Sequence, residues 1–331
     1  MLAVVKANAY GHGLLATART LADAGADALG VARLEEALQL RESGVVRPMV
    51  LMEGVLDAEG FAAAARHGLE LVVHCEEQLV LLERAPEAQR FTVWLKIDTG
   101  MNRLGFRATQ VPAVLERLDA LGTRLIELRL MTHFSSADDR SSHSTAHQLA
   151  RFTQLTRGRN EARSLANSAA VFDYPKTHAE WVRPGLALYG ASPFTGQNGA
   201  TLGLAPAMRL ISTVIGIRGV PAGESVGYGS MWRASRDSHV AIVAAGYADG
   251  VLRSLPSGSP VLVNGMEAPL VGRVSMDMIA VDVTEHPAVL VGDPAVLWGP
   301  ELPVEQVAAA AGTVAYELLC AVAERVPRVM V

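Results

Sequence analysis

The sequence of 331 residues is poor in cysteine, aromatic residues and charge, with 2 Cys, 5% aromatic and 19% charged residues. Two cysteines, Cys75 and Cys320, are too few for a disulfide framework, and we expect both to be buried in a reducing compartment. No signal peptide is visible. The late apolar stretch 304–326 contains four charged side chains, which argues against a membrane span. We therefore expect a cytoplasmic protein.

The charge balance narrows the choice of ligand. The net charge is −5 and no basic cluster is present, so neither nucleic acid nor an anionic membrane surface is an expected partner. The 50% hydrophobic content provides ample material for buried cores in a chain of this length. A small metabolite is the expected ligand.

Short apolar runs alternate with helix-like segments from residue 1 to about 190, a pattern typical of βα units around a parallel sheet. Eight such runs lie around residues 3–6, 28–31, 49–52, 69–73, 91–97, 126–132, 164–167 and 181–186. Helical patterns cover 14–24, 34–42, 58–66, 76–84, 111–121 and 144–157. This repeat predicts a (β/α)₈ barrel, of the TIM type, over residues 1–195. A doubly wound open sheet is the alternative, although no GxGxxG follows a strand.

The pattern changes after a Gly/Pro/Ser/Thr-rich linker at 191–205. Short runs rich in β-branched residues at 210–217, 239–245, 260–263, 278–283 and 295–297 predict a compact antiparallel β domain over residues 196–331. A helix at 304–310, continuing at 314–324, is expected to pack against it.

Five polar residues fall at or just beyond predicted strand ends, where (β/α)₈ barrels carry their chemistry: Lys6, Lys96, His133, Ser168 and Arg183. Lys6 stands out because an apolar run leads to it and a turn with Gly11 and Gly13 follows it. A desolvated lysine there can lose its charge and attack a carbonyl, the route to a Schiff base. The alternative is an ordinary lysine that snorkels from a strand end.

Several other residues have two interpretations from sequence alone. His133 suits a core histidine, Tyr228 between two glycines suits a packed turn, and Asn-Ser before Ala169 is ordinary turn composition. The spacing of His143 and His147 can bind zinc, but the glutamate of HExxH is missing and a solvated helix start is favoured. We expect no metal site.

The stretch VVKANAYGHG at 4–13 resembles the pyridoxal-phosphate lysine motif of the alanine racemase family. Four further blocks, at 95–105, 183–190, 246–250 and 272–277, resemble landmarks of that family in the same order. The likeness runs from residue 1 to the last few residues. It also implies that a natural N-terminal strand and helix are missing before the lysine strand.

The resemblance implies a pyridoxal 5'-phosphate enzyme that interconverts L- and D-alanine and supplies D-alanine for bacterial peptidoglycan. Lys6 and Tyr228 would be the two catalytic bases, on opposite faces of the substrate. The tyrosine needs positive or hydrogen-bonding neighbours, for which His133 and Arg183 are candidates. The family works as a homodimer with shared active sites.

By the same resemblance, Lys6 holds the cofactor, and the other cofactor-binding residues are Tyr10, His133, Ser168, Arg183, Gly185, Leu186 and Tyr316. Arg103 binds the substrate carboxylate, and the partner subunit contributes Tyr247, Met276 and Asp277. Lys96 resembles a lysine that the family often carbamylates. A simple buried lysine paired with Asp98 or another acid is the alternative. The rival functions are a fold-related decarboxylase with a different C-terminal acid and a non-catalytic cofactor-binding barrel without a second domain.

Overall fold

The structure is a computed structural model that describes residues 1–330 and divides into two compact units. The first unit contains Met1–Ala9, Gly13–Leu188 and Pro193–Thr195. The second contains Tyr10–His12, Tyr189–Ser192 and the chain from Gly196 on.

The first unit is built around a parallel sheet of seven strands that are neighbours in chain order. The strands are β1 (Leu2–Val4), β2 (Ala28–Val31), β3 (Met49–Leu51), β4 (Leu69–Val73), β5 (Phe91–Lys96), β6 (Leu125–Met131) and β7 (Arg163–Ser164). An irregular segment closes the ring: Ser164 bridges Trp181, and the Leu2 amide donates to the Val182 carbonyl at 2.9 Å. The predicted barrel is confirmed.

The eighth strand predicted at 181–186 is not a regular strand. Only an isolated bridge forms at Trp181, and the Val4 amide donates to the Pro184 carbonyl at 3.1 Å. Proline has no N–H to return to the sheet, so regular pairing cannot continue through this position.

Seven α-helices of the first unit follow strands or turns, at Leu14–Asp23, Leu34–Glu42, Ala58–Arg66, Glu76–Arg84, Val111–Ala120, Ser144–Leu155 and Ser168–Asp173. Local caps set their starts: the Asp57 carboxylate accepts from the Gly60 amide at 2.7 Å, and Glu36 accepts from the Arg33 amide at 3.2 Å. The first six agree with the sequence prediction within two residues. The short helix at 168–173 was not predicted.

The barrel interior is apolar across its middle and ionic near the strand starts. Leu2, Ala28, Val50, Val72, Trp94 and Met131 form one buried cluster. Near it, Glu70 accepts from Trp94 Nε1 at 2.7 Å and from Arg129 at 2.9 Å. The Arg129 guanidinium also lies over the rings of Trp94 and Trp181, at 4.9 and 4.8 Å. The interior is therefore filled, and ligands are left to the carboxyl ends of the strands.

The second unit contains the expected antiparallel β domain. Six strands form a closed barrel, in the order Ser238–Val243, Ile279–Asp282, Met266–Val271, Pro260–Val263, Pro294–Trp298 and Leu210–Val220. A separate pair joins Ser225–Val226 to Trp232–Arg233, and two helices cover Val304–Ala310 and Ala315–Ala321. The strand at 266–271 escaped prediction because Glu267 and Pro269 are poor strand formers.

Within residues 1–330, neither cysteine forms a disulfide; Cys75 is half-buried and Cys320 is exposed. The expectation that both are buried was therefore wrong, because Cys75 begins a surface helix and Cys320 lies on the outer side of one. Across residues 1–330, no helix has the length and apolar character needed to cross a membrane.

Candidate active site

The backbone after Lys6 takes an unusual course. Four consecutive residues other than glycine, Ala7–Tyr10, have φ between 51° and 55°, in the left-handed region. Such residues cost roughly 1–2 kcal/mol each, so the surroundings must compensate. Glu36 accepts from the Ala7 amide, and the Asn8 side chain accepts from the Leu14 amide, both at 2.7 Å. The turn that carries Lys6 is thus held by contacts with other parts of the barrel.

Gly11 and Gly13, in the turn after Lys6, have φ of 79° and 100°, values that glycine adopts without a steric cost. The left-handed run before them was missed, and only Asn8, a residue type that tolerates this region, gave a sequence signal. Gly11 also permits close packing, since a Cβ there would lie 1.9 Å from the Leu319 carbonyl oxygen.

Arg183 is buried at the barrel end, with 2% of its surface exposed. One terminal nitrogen donates to Ser164 Oγ at 2.7 Å, and the other donates to the Thr132 carbonyl at 2.5 Å. Its Nε is buried without a partner in the described part of the chain. Burial lowers the pKa of Arg183 to about 10, which still leaves it charged at neutral pH. The guanidinium therefore offers one fixed, unused N–H.

His133 lies against Arg183, with Nδ1 3.4 Å from a guanidinium nitrogen. Burial, followed by the charge of Arg183, holds the pKa of His133 well below its usual value. The imidazole is neutral and accepts from Arg183. It can serve a substrate or a tyrosinate as a hydrogen-bonding group, but not as a positive charge.

Lys96 at the end of β5 is 7% exposed. Burial, then the charges of Arg183, Arg103 and Lys6, lowers its pKa to about 8. Its amine has no hydrogen bond or ion pair within residues 1–330. The alternative pairing with Asp98 does not form, because that carboxylate accepts instead from the Gly100 and Asn102 amides, at 3.0 and 3.1 Å.

Ser168 and Gly185 meet at the same end of the barrel. Asn167 caps the helix Ser168–Asp173 by accepting from the Ala170 amide at 3.1 Å. Ser168 Oγ accepts from the Gly185 amide at 2.9 Å and from the Ala187 amide at 3.3 Å. Leu186, between these two residues, begins a 3₁₀ turn. A helix start and a turn start converge here, an arrangement of N–H groups suited to a phosphate.

The second unit brings two other predicted residues together. The ring of Tyr10 lies 5.8 Å from that of Tyr316 and stacks on Tyr189 at 4.8 Å. Burial, then the neighbouring Tyr316 and Cys320, raises the pKa of Tyr10 above its usual value, so its phenol stays protonated. Tyr189 was not predicted, because nothing in its sequence context marks a stacking partner.

The remaining predicted residues of this unit lie on its surface. Tyr228 opens a short turn and is 70% exposed, and Tyr247 and Met276 are exposed as well. Asp277 accepts from Arg325 at 2.6 Å, and Asp249 accepts from the same guanidinium at 2.8 Å. Arg325 was missed by the sequence analysis.

His143 and His147 lie at the start of the helix Ser144–Leu155, and both are exposed. Within residues 1–330, no three potential metal ligands of the His, Cys, Asp and Glu types come together. The spacing of the two histidines is thus that of a solvated helix start.

A parallel βα barrel with a lysine, an arginine and a phosphate-type cradle at its carboxyl end, joined to an antiparallel β barrel, defines the class of the chain. Residues 1–193 match the family model for the alanine racemase N-terminal domain, and residues 207–330 match that for the alanine racemase C-terminal domain. The chain belongs to the alanine racemase family and is an amino-acid racemase, an isomerase.

Individual relatives agree. The alanine racemase of Shewanella amazonensis is 50% identical over 330 residues, which cover 98% of this chain and 91% of the relative. That of Yersinia pestis is 49% identical over 326 residues, covering 98% and 90%. The crystal structure of biosynthetic alanine racemase from Pseudomonas aeruginosa has a TM-score of 0.95 at 46% identity, covering 98% of this chain and 90% of that one. The decarboxylase and the non-catalytic barrel are thereby set aside.

Proposed function

We propose that this protein interconverts L-alanine and D-alanine with pyridoxal 5'-phosphate bound through Lys6. The observation that carries the proposal is the buried, unpartnered Nε of Arg183. An orphaned buried donor is costly, and an aromatic ring nitrogen is an acceptor that would satisfy it. Pyridoxal phosphate has such a nitrogen, together with an aldehyde for a lysine and a phosphate for a helix start.

The residues present fit this cofactor. Lys6 would form the covalent bond, Arg183 would donate to the ring nitrogen, and His133 would lie beside Arg183 as a neutral acceptor. Ser168 and the amides of Gly185 and Leu186 would hold the phosphate. Tyr10 and Tyr316 of the second unit remain predicted phosphate ligands by resemblance to the family. When bound, the cofactor withdraws electrons from the substrate Cα and makes its proton acidic.

Arg183 would limit how strongly those electrons are withdrawn. A guanidinium keeps its own proton at neutral pH, so it donates a hydrogen bond to the ring nitrogen without protonating it. The negative charge that builds up at Cα is then less stabilised and is short-lived. We expect proton exchange at Cα to be favoured over transamination.

Two bases would exchange that proton. Lys6 would act on one face of Cα and Tyr228 on the other, since racemisation needs a donor and an acceptor on opposite sides. Arg103 would hold the substrate carboxylate with its planar fork. A carbamate on Lys96 would hold Arg103 in turn, and the lowered pKa of Lys96 supports this, because carbon dioxide adds only to a neutral amine.

The catalytic unit would be a homodimer. Tyr228, Tyr247, Met276 and Asp277 would complete the site of the partner subunit, a role that suits side chains exposed on the second unit. In the cell, we place the protein in the cytoplasm, where it would supply D-alanine for peptidoglycan.

The cofactor assignment has a direct test because the whole sequence contains only three lysines, Lys6, Lys96 and Lys176. Borohydride treatment of the purified protein should fix pyridoxal phosphate irreversibly on one peptide, the one containing Lys6. Lys6→Ala should lose the label, the cofactor absorbance and racemisation together, whereas the exposed Lys176→Ala should keep all three. A label that persists in Lys6→Ala would refute the assignment.

The shared site can be tested by complementation. Lys6→Ala and Tyr228→Phe are each expected to be inactive, but a heterodimer of the two would have one intact site and one doubly mutated site. A random mixture is half heterodimer, so activity should return toward about one quarter of wild type. If subunit exchange is demonstrated by mass tagging and no activity returns, both bases act within one chain.

A further inference from the structure

His74 is the cross-strand neighbour of Lys96 at the carboxyl end of the barrel. Strands β4 and β5 pair in parallel with Val72 opposite Trp94 and Val73 opposite Leu95, and His74 and Lys96 are the next residues of the two segments. Val72 and Trp94 both lie in the buried interior cluster. Lys96 lies two residues beyond Trp94 on β5 and so points to the same side, toward the interior, while His74 directly follows β4.

The His74 ring is held in one orientation and one tautomer. Its Nε2 lies 3.0 Å from the Glu53 carbonyl oxygen, and a carbonyl can only accept, so Nε2 carries the proton. The buried Gln78 supports this geometry, because its amide nitrogen donates to the same Glu53 oxygen at 2.9 Å and its amide oxygen accepts from the His74 backbone at 2.8 Å. The other ring nitrogen, Nδ1, is therefore left with a lone pair.

That lone pair has no donor. Nδ1 of His74 is buried without a hydrogen-bond partner anywhere in residues 1–330. Burial, and then the charge of Lys96, keeps the pKa of His74 below its usual value, so the ring is neutral. On the neighbouring strand, Lys96 is 7% exposed as a residue, and its amine makes no hydrogen bond or ion pair within residues 1–330. An acceptor on His74 and a donor on Lys96, both without a partner, therefore lie at the adjoining ends of two paired strands.

We propose that His74 Nδ1 accepts a hydrogen bond from the Lys96 amine, orients its lone pair toward carbon dioxide, and afterwards anchors the N–H of the carbamate. The inference rests on the proposed carbamylation of Lys96. His74 is a positioning residue, since it acts on Arg103 and on the substrate only through Lys96.

The chemical step balances without a further reactant. The lone pair of the neutral amine forms the N–C bond, and one C=O electron pair of carbon dioxide moves onto oxygen. One N–H proton passes from the nitrogen to water as the carbamate forms. The second N–H stays on the carbamate and donates to Nδ1, while the new carboxylate is free to face Arg103.

Two substitutions of His74 test the roles of Nδ1 and Nε2 separately. His74→Gln places an amide nitrogen near the Nε2 position and can keep the bond to Glu53, but it removes the Nδ1 acceptor. His74→Asn does the reverse, with an amide oxygen near Nδ1 and no reach to Glu53. The readout is the carbamate signal in carbon NMR of the holoenzyme titrated with ¹³C-bicarbonate, with Lys96→Ala to assign the signal.

The expected result is that His74→Gln needs about five- to tenfold more bicarbonate for half occupancy, the worth of one net hydrogen bond. His74→Asn should stay within about twofold of wild type. Equal bicarbonate dependence in wild type and His74→Gln, or equal weakening in both variants, would overturn the assignment of Nδ1. A wild-type protein without the signal would overturn it as well, while borohydride labelling of Lys6 would decide separately whether the racemase proposal stands.

Discussion

Replacing Lys96 with methionine should stabilise the protein near neutral pH when carbon dioxide is excluded. The methionine side chain has a similar length and no charge, whereas Lys96 is buried and its amine is protonated at neutral pH. Burial and the neighbouring Arg183, Arg103 and Lys6 lower its pKa from 10.5 to about 8. A shift of that size corresponds to about 3 kcal/mol between the charged and neutral forms.

The sign of the pH dependence follows from the direction of the shift. Below pH 8, Lys96 is protonated in the folded and unfolded states, and the folded state is destabilised by the full free energy of burying the charged amine. Between pH 8 and 10.5 the unfolded state binds more protons than the folded state, so the stability of the wild type rises relative to Lys96→Met. Above that range the cost has disappeared.

Thermal unfolding in buffers free of carbon dioxide, from pH 7 upward, measures the effect. At the lowest pH, the Tm of Lys96→Met should lie several degrees above that of wild type. This difference in Tm should close as the pH rises toward the pKa of an ordinary lysine. Exposed Lys176→Met serves as the control and should show no such trend. Added bicarbonate should raise the Tm of the wild type alone. A gap between Lys96→Met and wild type that does not change with pH would refute the reasoning.

Three further outcomes are expected. Tyr228→Phe should retain cofactor but lose solvent-deuterium exchange at Cα preferentially from one enantiomer, by resemblance L-alanine, and equal losses would contradict two opposed bases. Gly11→Ala should destabilise far more than Gly25→Ala in urea titrations, because both glycines have positive φ but only Gly11 would force a Cβ against a backbone oxygen. Glu70→Gln should lower the free energy of unfolding by about 3–5 kcal/mol, because it breaks the buried ion pair with Arg129. Glu76→Gln, which removes a more exposed partner of Arg117, should lower it by less than about 1 kcal/mol. Similar losses of Tm in the two variants would contradict this expectation.

The regular elements were largely predictable because apolar spacing reports which face of a helix is buried. The helices at Leu34–Glu42, Ala58–Arg66 and Glu76–Arg84 agree with the sequence at both ends. Prediction failed where local propensity opposes tertiary structure. The strand Met266–Val271 is stabilised by its neighbours despite Pro269, and the left-handed run after Lys6 depends on Glu36, which is distant in sequence.

The candidate site was likewise predictable only in part. The rule that chemistry lies at strand ends found Lys6, Lys96 and Arg183 from the sequence. It applies equally to His74, which directly follows β4 and was overlooked. Supporting contacts such as those of Gln78 join loops whose proximity no single sequence reveals.

The residues at the carboxyl end of the barrel share an excess of positive charge. Arg183 and Lys96 are buried, Lys6 and Arg103 act on Lys96 electrostatically, and the Asp98 carboxylate opposes them. Asp98 is itself engaged by backbone amides, so the excess positive charge persists. A phosphate, a substrate carboxylate and a carbamate are all anions, and each would relieve the repulsion that lowers the Lys96 pKa. Carbamylation changes the charge at Lys96 from positive to negative beside two arginines, so binding of carbon dioxide should be strongest in the cation-rich environment that makes the protonated lysine costly.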